Sequence, residues 1–177
     1  MRYAQVVPFE VCNGKYAGVS VFVQGCGFHC DGCFNKETWD FSKGKEFTAE
    51  TRDELMSSID RPYIKRVSIL GGEPLSPSNL PDVSNLITEI KSKFSDKALW
   101  LYTGYTMEHI VAAEGLGVSC SAQAGTDSLR KKVVDMCDVL VDGKFDINKR
   151  DITLKFRGSS NQIVWKKQNG VWIKWLT

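Results

Sequence analysis

The sequence predicts an α/β fold: an open or partial parallel (β/α) barrel that ends in a C-terminal β-hairpin. Three observations carry this expectation. Short apolar runs alternate with segments of helical periodicity, the pattern of a parallel sheet with right-handed crossovers. The chain has 177 residues, whereas a complete eight-stranded barrel needs about 250. Near the end, Ile163-Val164-Trp165 and Val171-Trp172-Ile173 flank Asn169-Gly170, which is a hairpin signal.

Taken in order, residues 17–23 read as a buried strand that stops at Gln24-Gly25. Thr48 is placed to cap a helix in which Leu55, Met56 and Ile59 share one face. A second strand over 64–70 is stopped by Gly71-Gly72. Pro81 opens the clearest helix, with Val83, Leu86, Ile87, Ile90 and Phe94 on one apolar stripe. Residues 98–102 form a third strand and 139–141 a fourth. Between them, helices are expected near 106–113 and 127–136, with the Gly/Ser-rich stretch 115–126 as a surface loop. Ligands of parallel sheets bind at the carboxyl ends of the strands. Gly71-Gly72, Thr103-Gly104, Asp142 and the segment after residue 24 all fall there, which places one site.

Composition narrows the function classes. The chain is 42% hydrophobic and 25% charged, an ordinary globular balance rather than a disordered or disulfide-framework one. One domain is expected over 1–177, with a C-terminal extension from about 163 to 177. No run approaches eighteen apolar residues and the start has no apolar signal core, so neither a membrane span nor secretion is expected. A cytoplasmic protein is the expectation. The net charge is +2, yet residues 144–177 carry 8 basic and 2 acidic side chains; such a basic tail suits a solvated surface, an acidic partner or nucleic acid.

Six cysteines are present: Cys12, Cys26, Cys30, Cys33, Cys120 and Cys137. Three of them form C-x-x-x-C-x-x-C within the loop 24–36. Three thiolates at this spacing can hold three irons of a cubane cluster and leave the fourth iron open to substrate. A zinc site of Cys26, Cys30, Cys33 and His29 is the other reading of the same residues, although His29 adjoins Cys30 awkwardly for convergence on one ion. Cys12, Cys120 and Cys137 read as small core residues. Gly71-Gly72-Glu73-Pro74 is the second element: two glycines let backbone lie against a ligand, and Glu73 can accept hydrogen bonds from an ammonium group. His109 falls in an amphipathic helix and reads as structural. Trp165, Trp172 and Trp175 read as core or as an aromatic surface for a partner.

Together these elements resemble the radical S-adenosylmethionine (SAM) enzymes. The segment from Gly25 to Trp39 further resembles the anaerobic ribonucleoside-triphosphate reductase activating proteins, as do Gly71 to Leu75, Leu101 to Tyr105, Val139 to Phe145 and Arg157 to Gln162. The resemblance implies a partial barrel of the radical SAM type and a [4Fe-4S] cluster on Cys26, Cys30 and Cys33. It further implies SAM contacts from Gly32, Cys33, Phe34, Gly71, Gly72 and Glu73. Asp142 and Lys144 are similar to a D-x-K pattern of related activases, in which the acid helps hold a monovalent cation and the lysine approaches the SAM carboxylate. The implied reaction is reductive cleavage of SAM, followed by hydrogen abstraction from a glycine of the anaerobic reductase. An electron donor such as a flavodoxin is implied with it, and neither nucleic acid nor membrane is an expected partner. The chain departs from related patterns at Gly32, where many radical SAM enzymes carry an aromatic residue, and at Tyr102, where related activases carry aspartate. An activase for another glycyl-radical enzyme, or a zinc or Fe–S nucleic-acid-binding module, are the alternatives.

Overall fold

A computed structural model describes residues 1–112 and 121–176. Eight strands form one mixed sheet: β1 (Arg2–Glu10), β2 (Gly18–Val23), β3 (Lys45–Glu46), β4 (Arg66–Gly71), β5 (Ala98–Tyr102), β6 (Val139–Asp142), β7 (Ile163–Gln168) and β8 (Val171–Lys174). Their spatial order is β3-β1-β2-β4-β5-β6-β7-β8. The expected parallel strands are present as the contiguous centre, β2-β4-β5-β6. The expected parallel barrel is corrected to a mixed sheet, because β1 and β3 add antiparallel pairs at one flank and β7 pairs antiparallel with β6 at the other; the sheet is open and ends in the expected β7–β8 hairpin.

The pleat explains why the central strands read as continuous apolar runs. Val19, Val21, Val23, Val67, Ile69, Leu99, Leu101 and Leu140 point to one face. There they meet helices α1 (Ala49–Ile59), α2 (Leu80–Lys93) and α4 (Ser121–Asp135) through Leu55, Ile59, Val83, Ile87, Ile90, Val133 and Val134. Phe22, Leu70, Tyr102 and Val141 point the other way, toward irregular chain rather than helices. Also on that face lies a polar cluster: Arg66, fully buried, ion-pairs with Glu10 and donates to Ser68 Oγ at 2.7 Å. Buried on both faces, these strands show no alternation.

Local signals account for most boundaries. Thr48 caps α1, its side chain accepting from Thr51 N at 3.3 Å. Asn169 and Gly170 both have positive φ, 51° and 80°, the type I′ geometry that closes the β7–β8 hairpin. A short helix α3 (Met107–Ala112) follows β5. Helix α4 begins at Ser121, so the surface loop expected over 115–126 is corrected for its second half; 113–120, including Cys120, lie outside the described residues. β1 was not expected, since Pro8 interrupts the run and the strand carries two register shifts, between Tyr3 and Gln5 and between Val7 and Glu10. Cys137 is buried as expected, whereas Cys12 is exposed, in the turn after β1. Among the described residues no helix is long and apolar enough to cross a membrane.

The C-terminal tryptophans take the core reading on their inner faces. Trp165 and Trp172 pack on the helix-side cluster, and Trp175 meets Trp100 edge-on at 5.8 Å. Lysines sit over all three rings: Lys174 over Trp165, Lys167 over Trp172 and Lys166 over Trp175, at 5.5, 4.8 and 5.2 Å. Three of the tail's eight basic side chains are thereby used within the hairpin. Trp165→Ala should destabilise the protein by about 2 kcal/mol, lowering the melting temperature by about 4–8 °C. An unchanged melting curve would show that the hairpin is not part of the cooperative unit.

Candidate functional site

Parallel pairing sets the site. It brings the ends of β2, β4, β5 and β6 to one side of the sheet, so the segments after Val23, Gly71, Tyr102 and Asp142 meet. The cysteine loop leaves β2 and returns through a turn of 3-10 helix at Lys36–Thr38. Gly25 N donates to Thr38 O at 2.7 Å and Cys26 N to Trp39 O at 3.0 Å, closing the loop at its base. Inside it, His29 adopts a positive φ of 48° and stacks on Trp39 with ring centroids 4.6 Å apart.

The second glycine element abuts that base. Gly72 N donates to Val23 O and Glu73 N to Gly25 O, each at 2.8 Å. A Cβ on Gly72 would stand 2.4 Å from Gly25 O, so close backbone approach dictates the glycine. Gly71, at φ +108°, bears the conformational demand; a Cβ there would stand 2.7 Å from Phe22 Cα.

Cys26, Cys30 and Cys33 line one cavity of about 150 Å³, together with Gly71, Gly72, Glu73, Gly104 and Lys144. Burial pushes the Cys26 thiol up, and the Glu73 and Cys30 charges push it further; backbone N–H groups of Phe28 and His29 oppose the shift. Burial also raises Cys30, opposed by the N–H of Phe145 and the charge of Lys144. Asn35 N donates to Cys33 Sγ at 3.4 Å. The loop thus aims N–H donors at its sulfurs, which offsets part of the burial that holds Cys26 and Cys30 as thiols. Among the described residues no three His, Cys, Asp or Glu side chains converge as ligands of a single ion. Three thiolates that each bind a separate iron need no such convergence.

Glu73 is 2% exposed. Its carboxylate accepts from Leu75 N at 2.8 Å, Thr103 Oγ1 at 2.7 Å and Gly104 N at 2.7 Å. It therefore ties the turn after β4 to the turn after β5. Asp142 is also buried, but its carboxylate accepts from Met107 N at 2.6 Å and Ile163 N at 3.3 Å; it caps α3 and does not line the cavity. Lys144 does line it, with Nζ 4.7 Å over the Phe28 ring. Gly32, at φ +71°, packs where a Cβ would meet Ile147 Cδ1 at 2.7 Å. Phe34 is 62% exposed and leans on Phe145 at 5.3 Å. Both Phe34 and Cys33 border a second cavity of about 610 Å³ floored by Phe22, Leu70, Tyr102 and Val141.

Gln24 and Asn79 hold the site yet carry no sequence signal of their own, and the Arg157–Gln162 block shows its role only in the structure. Gln24 donates from Nε2 to Glu37 O and Asp40 O, bracing the cysteine loop. Asn79 donates to Gln24 O at 2.9 Å and Glu73 O at 3.0 Å, joining the two glycine elements. Gln162 donates to Gly143 O at 2.9 Å and accepts from Gly158 N, while Asn161 donates to Lys144 O at 2.8 Å. The Arg157–Gln162 segment therefore clamps the turn that presents Lys144.

Residues 12–165 match the family model described as a 4Fe-4S single cluster domain. The chain is 37% identical to the anaerobic ribonucleoside-triphosphate reductase-activating protein of Escherichia coli (strain K12), covering 93% of this chain and 97% of that protein. It is 36% identical to the protein of the same name from Enterobacteria phage T4, covering 97% and 98%. A third relative of that name, from Vibrio cholerae, is 36% identical over 93% of this chain and 97% of its own.

Two outcomes follow from the geometry. Gly72→Val should displace the base of the cysteine loop, lowering the iron retained after anaerobic reconstitution; full iron content would show that Gly25 and Gly72 need not touch. Burial pushes the Glu73 carboxyl up to about 7, outweighing its three donors and the charge of Arg130. The unfolded carboxyl titrates near its ordinary value, about 4.3, so between these values the folded state binds the extra proton. Stability of the metal-free protein should fall as pH rises from about 5 to about 7 and then level off, by up to about 3 kcal/mol. Denaturation at a series of pH values should show this fall in the wild type and its loss in Glu73→Gln.

Proposed function

The chain belongs to the family of anaerobic ribonucleoside-triphosphate reductase-activating proteins, and we propose that it uses a [4Fe-4S] cluster and SAM to install a glycyl radical on the anaerobic reductase. The observation that carries this reading is the meeting of three cysteine thiols with the Gly71-Gly72 strand end at one cavity. Cys26, Cys30 and Cys33 are assigned to three irons. When bound, the cluster and SAM supply one-electron cleavage of a sulfonium C–S bond and removal of a hydrogen atom from a glycine Cα, leaving methionine and 5′-deoxyadenosine.

The chain's own residues position and shield. Backbone N–H groups of Phe28, His29 and Asn35 steady the sulfurs. Gly71 and Gly72 keep side chains away from the ligand's path, and Lys144 offers a positive charge at the rim for a carboxylate. Gly32 and Phe34 contribute through backbone held in place by Ile147 and Phe145. Glu73 contributes as an acceptor at the cavity wall, its carboxylate engaged by three donors. Asp142 contributes through the turn it begins, Asp142-Gly143-Lys144. The apolar floor of the wider cavity keeps water from the reacting atoms. An external one-electron donor, for which we take a flavodoxin, completes the system. Neither an activase for another enzyme nor a nucleic-acid-binding module has an observation in its favour.

Reconstituted, reduced protein incubated with SAM and the cognate reductase should give a glycyl-radical signal by electron paramagnetic resonance, absent without SAM. No signal with a loaded, reduced cluster would reject the function. Cys26→Ala, Cys30→Ala and Cys33→Ala should each lose most cluster absorbance and all SAM cleavage, while Cys12→Ala and Cys137→Ala keep both. Retention of the cluster in Cys33→Ala would reject the ligand assignment.

A further inference from the structure

Arg130 lies on α4, far in sequence from both glycine elements, and is 8% exposed. Its three nitrogens serve three acceptors: Nε donates to Leu75 O at 3.0 Å, one terminal nitrogen to Asp127 at 2.6 Å and the other to Tyr105 Oη at 2.9 Å. Its guanidinium carbon also lies 4.3 Å from the Tyr105 ring centre. Tyr105 meets Phe28 edge-on at 5.0 Å. A Cβ on Gly104 would stand 2.4 Å from the Phe28 ring, and Lys144 covers that ring from its own side. Phe28 belongs to the cysteine loop, and its backbone N–H leads the groups that offset the raised Cys26 thiol.

We propose that Arg130 is a positioning residue for the cysteine loop: through Tyr105 and Phe28 it fixes the N–H donor that Cys26 receives, and through Leu75 it holds the turn after Gly71-Gly72 in register with that loop. A buried guanidinium needs its donors satisfied, and here they are spent on the turns after two different strands and on its own helix. The three N–H donors of a lysine leave one nitrogen and cannot reach three acceptors spread around a planar fork. A side chain that only attached α4 to the sheet would need none of the contact between Tyr105 and the loop. The effect on a cluster rests on Cys26 being a ligand; the ordering of the loop does not.

Two measurements test this. In the metal-free protein, amide hydrogen exchange over residues 26–30 should be faster in Arg130→Met by roughly tenfold, with Val19–Val23 unchanged. In the reconstituted protein the iron content should hold while the midpoint potential becomes more negative, because N–H donors to sulfur stabilise the reduced cluster. Tyr105→Leu should reproduce both changes. The double variant should be no worse than Arg130→Met alone, because Tyr105 acts within one of the two routes that Arg130 holds, and Arg130→Lys should restore only part. If Arg130→Met does not fold, Tyr105→Leu carries the same test. A lowered melting temperature with loop exchange and potential at wild-type values would overturn the proposal and leave Arg130 as an anchor of α4. Faster loop exchange with an unchanged potential would support the strut and count against Cys26 as a ligand.

Discussion

The site depends on the contact between the base of the cysteine loop and the Gly71-Gly72 strand end. Parallel pairing of β2 with β4 brings the two chain segments side by side, and hydrogen bonds from Gly72 N and Glu73 N then join them directly. A side chain at Gly72 would separate them. Everything that the loop presents, from the three sulfurs to the ring of Phe28, is referred to that junction. The neighbouring turns are built onto it in sequence: Glu73 reaches the turn after β5, and Gly143 N reaches Tyr105 O at 3.0 Å, bringing in the turn after β6.

A buried carboxylate at that junction is a costly choice, and its donors explain how it is tolerated. Two backbone N–H groups and one hydroxyl compensate much of the desolvation, and the nearby guanidinium of Arg130 adds a favourable charge. The remaining imbalance leaves the carboxyl easier to protonate than a solvated one. Specific geometry is what the arrangement provides in return: an apolar residue could fill the space but could not hold Thr103 and Gly104 at fixed distances from Leu75.

The parts of this architecture that were legible in the sequence are those written in local chemistry. Central strands, the Thr48 cap, the apolar stripe of α2 and the Asn169-Gly170 turn all follow from pattern and turn preference. β1 escaped notice because Pro8 and two register shifts hide its pairing, and the start of α4 because Ser, Ala, Gln and Gly at 121–125 read as loop. At the site, the three cysteines and the glycines were visible as motifs and do share a cavity. Gln24, Asn79 and Arg130 were not, for a physical reason: each reaches a backbone carbonyl distant in sequence, and a carbonyl has no residue identity to read. Asp142 shows the converse, since its place in a motif suggested a ligand contact while its carboxylate faces Met107 N and Ile163 N.

The two faces of the sheet differ in what covers them, and this gives the molecule two kinds of resistance to opening. The helix face is joined by continuous apolar packing, which yields as one unit. Over the opposite face, the chain between Phe145 and Gln162 is attached partly by Phe156, which packs on Trp100 at 5.1 Å, and partly by separate polar links such as Gln162 to Gly143 and Asn161 to Lys144. Links of that sort break and reform individually without disturbing the packing behind them. The covering of the wide cavity therefore owes part of its attachment to contacts that can be lost one at a time, whereas the helix face does not.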